Sequence, residues 1–126
     1  MIPTTRQAKI EYGDFQTPFE LAKLVCQKLE GLGVSPDLII EPTCGVGAFV
    51  EASAYQFSHA KKIIGVEVNQ TYLEEVRARK SNFPANERVT LKQGNFFDFD
   101  WKGLLKENEG SILVIGNFPW VTNSQQ

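Results

Sequence analysis

Residues 112–120 read Ile-Leu-Val-Ile-Gly-Asn-Phe-Pro-Trp. Ile112, Leu113, Val114 and Ile115 are apolar and mostly β-branched, which predicts a buried strand. The strand runs straight into Gly116-Asn117-Phe118-Pro119-Trp120. An amide, a proline and a large aromatic residue at the C-terminal end of a strand stand where open α/β sheets bind their ligands. By this reading the chain upstream holds a small molecule against that edge.

Working back from this strand, helical and extended patterns alternate. Leu38-Ile39-Ile40, the run from Ile63 to Val68, and Val89-Thr90-Leu91 predict three more strands. Thr17-Pro18-Phe19-Glu20 signals a helix start, with Thr17 as cap, Pro18 at the first helical position and Glu20 completing a capping box. Leu21, Leu24, Val25 and Leu29 would form its inner face, and Gly31 or Gly33 would stop it. A second helix follows the loop 41–49 and ends near Phe57. A third covers residues 70–80, with Tyr72, Leu73 and Val76 inward and Glu75 to Arg79 as an exposed pair. A short helix runs from Trp101 to about Asn108, and the phenylalanines of residues 96–99 read mostly as core. Such alternation predicts an α/β fold with a mostly parallel sheet and right-handed crossovers. The expected organisation is an N-terminal arm over residues 1–16 and one domain over 17–126. Residues 121–126 are polar, and no helix follows to cover the last strand. An uncovered edge predicts a sheet truncated after about four strands, or one that self-associates through that edge.

Composition narrows the function. A chain of 126 residues makes one modest core, and 42% apolar content argues against disorder. The formal net charge is −2 and no run of Lys or Arg occurs, so affinity for a nucleic-acid backbone must come mainly from elsewhere. Cys26 and Cys44 have no metal-ligand spacing and make no disulfide framework, which fits a reduced, cytoplasmic setting and gives no metal site. Met1 to Ile10 is mixed and polar, unlike a signal peptide, and no apolar run is long enough to span a bilayer, so no membrane partner is expected. His59, the sole histidine, reads as a solvated loop residue.

Three loops carry the chemistry. In Glu41-Pro42-Thr43-Cys44-Gly45-Val46-Gly47-Ala48-Phe49 the glycines let the backbone approach a ligand, and the following helix aims its positive end at it. Glu67 ends the second strand 20 residues after Gly47, near the spacing of an acidic ribose binder. The third glycine of a dinucleotide fingerprint is absent, so the favoured ligand has a ribose without a pyrophosphate; the alternative is a tight turn beside a solvated Glu67. Cys44 has no base partner and no nucleophilic role is assigned to it. Asn95-Phe96 ends the third strand on the same rim. Its amide can bond an adenine edge and its ring can stack, or the pair is a turn asparagine beside a core phenylalanine. At Asn117-Phe118-Pro119-Trp120, the Asn117 side-chain carbonyl and the Phe118 backbone carbonyl can both accept from an aromatic exocyclic amine. That would free the nitrogen lone pair for attack, with Pro119 fixing the turn and Trp120 stacking on the extruded base. The alternative is a proline turn beside a core tryptophan.

Together these stretches resemble the S-adenosylmethionine-dependent methyltransferases, and more narrowly the amino-terminal part of an adenine-N6 DNA methyltransferase of restriction–modification type. The resemblance implies a Rossmann-like class I sheet and S-adenosylmethionine as cofactor. Phe15-Gln16-Thr17-Pro18 is similar to the segment that touches the cofactor's methionine end, which brings in Phe15 and Thr17. Glu41, Pro42, Cys44, Gly45, Gly47 and Phe49 match the cofactor loop, Glu67 the ribose acid, and Asn95-Phe96 the adenine-binding Asp-Phe. Asn117, Phe118, Pro119 and Trp120 match the catalytic Asn-Pro-Pro-aromatic. Asn95 replaces the usual aspartate and Phe118 the usual proline. The second departure keeps ribosomal-RNA adenine dimethyltransferases in view, and protein glutamine methyltransferases share the motif. DNA is the implied partner, through regions this chain lacks, and the chain alone is expected to be a cofactor-binding fragment with little activity, or a non-catalytic interaction module.

Overall fold

The computed structural model describes residues 16–117. Phe15, Phe118, Pro119 and Trp120, with residues 1–14 and 121–126, lie outside the described residues. Helix α1 covers Phe19–Gly31, β1 Leu38–Glu41, α2 Ala48–Gln56, β2 Lys62–Glu67 and α3 Gln70–Lys80. A 3-10 turn at Asn86–Arg88 leads to β3 Val89–Gln93, then α4 Trp101–Lys106 and β4 Ile112–Val114. The strands lie in the order β3-β2-β1-β4 and every pairing is parallel. The order of the strands thus switches direction beside β1, the kind of position where open α/β sheets bind ligands.

Two apolar clusters follow from the pleat. Ile39, Ile63 and Val89 share one face and pack with Ala22, Cys26, Val50, Leu73 and Val76 of the helices. Leu38, Ile40, Ile64 and Val66 share the other face, under Phe99, Trp101 and Leu104. Every residue of β1 is buried, as a central strand covered on both faces must be. Gly65 lets α2 come down on β2, because a Cβ there would crowd Val50, Leu91 and Cys44.

Several sequence expectations are corrected. Pro18 is the N-cap of α1 rather than its first residue, and no side chain caps the helix; the Pro18 carbonyl accepts from Leu21 and Ala22 instead. The helix also faces differently. Ala22 and Cys26 are its fully buried residues, while Leu21 and Leu24 are each 49% exposed. Small side chains on the inner face let α1 approach α2, where the Cys26 thiol meets the Ser53 hydroxyl at 3.8 Å. Arg79 turns from Glu75 to α2, pairing with Glu51 at 3.3 Å. The strand at 112–114 is not fully buried: among the described residues it lies at one edge of the sheet, and Ile112 and Val114 are exposed while Leu113 packs on the first cluster. Phe97 is 71% exposed rather than core. No helix among the described residues is long and apolar enough to cross a membrane.

Arg88 closes the end of α2. Its guanidinium donates to the carbonyls of Ala54, Phe57 and Ala60, each at 2.7 Å. A planar fork spans these diverging acceptors, and a lysine ammonium does not. Replacing Arg88 with Met is expected to lower stability by about 2–4 kcal/mol, and Arg88→Lys to recover less than half of that, as read from urea midpoints.

Candidate active site

The loop between β1 and α2 is built by its own hydrogen bonds. Gly45 and Gly47 take left-handed conformations, with φ of 55° and 87°. Five successive backbone N–H groups donate within the protein. Thr43 donates to Glu41 Oε1 at 2.9 Å, Cys44 to the Val66 carbonyl at 2.8 Å, and Gly45 to Glu67 Oε1 at 2.7 Å. Val46 donates to Gln16 Oε1 at 3.0 Å, and Gly47 to the Cys44 carbonyl at 2.8 Å. A phosphate cradle needs such groups turned outward. Here all five are already bonded within the protein, three to side chains that line the site and two to backbone carbonyls.

Glu67 is buried at the end of β2. Its second oxygen accepts from the Asn69 N–H at 2.8 Å, so one carboxylate ties the loop after β1 to the loop after β2. Asn69 in turn caps α3 by accepting from Tyr72 N–H. Glu41 is buried too, at the end of β1, beside Gly116. Burial pushes its carboxyl up to about 8, with the Glu67 charge adding to the rise and the Thr43 N–H opposing it. The Cys44 thiol is pushed up by burial and by both glutamates, which keeps it protonated and unreactive.

These loops enclose an open cleft of about 240 Å³. Of the sequence-predicted residues, Thr17, Glu41, Pro42, Cys44, Gly45, Phe49, Glu67, Asn95, Phe96 and Asn117 line it. Four loop ends therefore meet on one rim. Gly47 does not line the cleft. It packs outward, where a Cβ would collide with Val76, so its part is to start α2 rather than to touch a ligand. Asn95 is in the lining, yet its Oδ1 accepts from the Phe97 N–H at 2.9 Å, and the Asn95 carbonyl accepts from Asp98 and Phe99. The Asn117 carbonyl accepts from the Thr43 hydroxyl at 3.3 Å, which locks the loop after β4 to the glycine loop.

Gln16, Thr43, Val68 and Phe97 also line the cleft and were missed as site residues. Gln16 and Thr43 stood inside the motifs already quoted. Val68 and Phe97 follow marked residues directly, and only the chain's path shows that they reach the same rim. The lining contains two carboxyl groups and, among the described residues, no basic side chain. Such a site attracts cations and hydroxyl donors and repels phosphates.

Over all 126 residues the chain is 52% identical to the type II methyltransferase M.NspV of Nostoc sp. (strain ATCC 29411 / PCC 7524). This chain is homologous to a type II methyltransferase over its whole length. It spans 26% of that relative. No protein-family model matches it. Among solved structures, a type I restriction-modification system methyltransferase subunit from Streptococcus thermophilus superposes with a TM-score of 0.56 and 23% identity, over 71% of this chain and 20% of that one. The glycopeptide N-methyltransferase MtfA, crystallised with S-adenosyl-L-methionine, gives a TM-score of 0.54 and 20% identity, over 73% of this chain and 35% of that one. The fold is that of the class I methyltransferases, as the four parallel strands and their order indicate.

The folded chain holds the Glu41 proton at pH values where the unfolded chain has released it. Stability is therefore expected to fall as pH rises from about 4.5 towards about 8. Glu41→Gln keeps the oxygen that accepts from Thr43 and removes the charge. Denaturation midpoints across that range should decline less for the variant, which gains on the parent chain as pH rises.

Proposed function

We propose that this chain is the cofactor-binding portion of an S-adenosylmethionine-dependent methyltransferase of restriction–modification type, acting on adenine N6 in DNA. The observation that carries it is the 52% identity to M.NspV across the whole chain. The cleft fits such a cofactor. Its loop N–H groups are already bonded within the protein, two buried carboxyl groups border it, and no basic residue among the described residues lines it, so it suits a nucleoside with a positive charge and no phosphate. At about 240 Å³ it is smaller than the ~300–1,000 Å³ of most ligand sites, so an occupant would extend past the rim.

S-adenosylmethionine supplies an electrophilic methyl on a sulfonium. The chain's own residues bind and orient. Glu67 keeps lone pairs for ribose hydroxyls after accepting from Gly45 and Asn69. Asn95-Phe96 would border the adenine, while Thr17 and Phe15 would approach the methionine end. Asn117, joined to the glycine loop through Thr43, would present its side-chain carbonyl to the target amine. With Phe118 as a second acceptor, Pro119 as the turn and Trp120 as the stacking surface, the amine would need no strong base, because its proton becomes acidic only after attack.

DNA would be read by sequence that the part shared with M.NspV does not include, since the chain's net charge is −2. Among the described residues no strand pairs with the outer side of β4, which offers a further strand a place to pair. Titration calorimetry separates the cofactor readings. S-adenosylmethionine and S-adenosylhomocysteine should both bind, with a dissociation constant on the order of micromolar, and NAD should give no heat. Heat with NAD alone, or with none of the three, overturns the assignment. Labelled S-adenosylmethionine with adenine-containing duplex should give little or no transfer from this chain alone, and robust turnover would refute the fragment reading.

A further inference from the structure

The glycine loop is braced from behind by α3. One terminal nitrogen of Arg79 donates to the Val46 carbonyl, and the same nitrogen lies 3.3 Å from Glu51 Oε1 on α2. Val76, one turn earlier on α3, is buried, and its side chain is what a Cβ on Gly47 would strike. Val46 stands between Gly45 and Gly47, both in left-handed conformation, and its carbonyl lies in the peptide that joins it to Gly47. On the cleft side the Val46 N–H is held by Gln16 and the Gly45 N–H by Glu67. The loop is thus gripped on both sides, by Gln16 and Glu67 within the cleft and by Arg79 outside it.

We propose that Arg79 is a positioning residue for the cofactor loop, fixing the Val46 peptide so that Gly45 and Cys44 keep their places along the cleft. This rests on the proposed function for its consequence in binding. Its structural half stands alone. Arg79 does not line the cleft, so it acts through the loop and touches no ligand. Its charge is taken up by the carbonyl and by Glu51, and its side chain is 40% exposed, so the site gains order from it rather than a positive potential.

The test compares Arg79→Met, Arg79→Lys and Glu51→Gln by amide hydrogen exchange and by calorimetry with S-adenosylhomocysteine. In Arg79→Met the amides of Gly45, Val46 and Gly47 should exchange at least about tenfold faster, while those pairing β1 with β2 are unchanged. Affinity should fall about tenfold with that loss of order. Arg79→Lys should restore part of both effects, since an ammonium still reaches one carbonyl. Glu51→Gln should stay within about twofold of the parent chain, since the Val46 contact survives. Unchanged loop exchange in Arg79→Met overturns the proposal. So does faster exchange spread over β1 and β2, which would mean general loosening, and so does a Glu51→Gln defect as large as that of Arg79→Met. If the parent chain binds neither S-adenosylmethionine nor its product, the proposed function fails, and the exchange data alone decide for or against the brace.

Discussion

One buried carboxylate holds the site together. Glu67 accepts from Gly45 with one oxygen and from Asn69 with the other, at 2.7 and 2.8 Å. Charge-assisted bonds to backbone N–H groups are the strong class of hydrogen bond, and burial shields these from water. Through them the loop after β1, the end of β2 and the start of α3 become one body. The loop cannot move without breaking a bond to a charge, and β2 cannot end elsewhere without leaving that charge unsatisfied. The parallel register brings this about, because it sets Glu41 of β1 opposite Gly65 of β2 and so places the glycine loop beside Glu67.

The same arrangement makes a polar site in a small fold affordable. Glu41 and Glu67 are both buried at the strand ends, and two carboxylates so placed repel one another. The structure resolves this unequally. Glu67 receives two N–H groups from separate loops, while Glu41 receives the Thr43 N–H and is pushed up to about 8. Glu41 thus retains a proton near neutral pH. A cation entering the cleft would favour the charged form of Glu41, which links occupancy to its titration.

Much of the architecture was legible in the sequence, since periodicity and turn residues are local. The apolar runs at 38–40, 63–68, 89–91 and 112–115 located the strands, while the order in which they pair was not read from them. The failures arise where tertiary packing overrides pattern. Leu21 and Leu24 match an inward helical stripe as well as Ala22 and Cys26 do, and only the close approach of α2 selects the smaller pair. The strand at 112–114 is as apolar as a central strand, but its neighbours leave it at an edge. Arg79 matches an i,i+4 partner for Glu75, yet the Val46 carbonyl and a facing glutamate compete better. Gly47 has the composition of a ligand contact, and the direction in which its missing side chain would point was not written in the spacing.

The internally bonded N–H groups also explain why a glycine loop need not mean a phosphate. In a dinucleotide fold the glycines open the loop so that its amides and the helix N-terminus face the pyrophosphate. Here the same residue type serves a different end. With left-handed turns at Gly45 and Gly47, successive amides are taken up within the protein, by Glu41, Glu67, Gln16 and backbone carbonyls. What then faces the ligand includes two carboxyl groups, the side-chain amides of Asn95 and Asn117, and, among the described residues, no basic side chain. A phosphate would meet carboxyl groups and no cation there, whereas ribose hydroxyls and an amine bring donors that the carboxyl oxygens can accept. Discrimination against phosphorylated nucleotides therefore follows from the loop's internal bonding, before any contact specific to the base is considered.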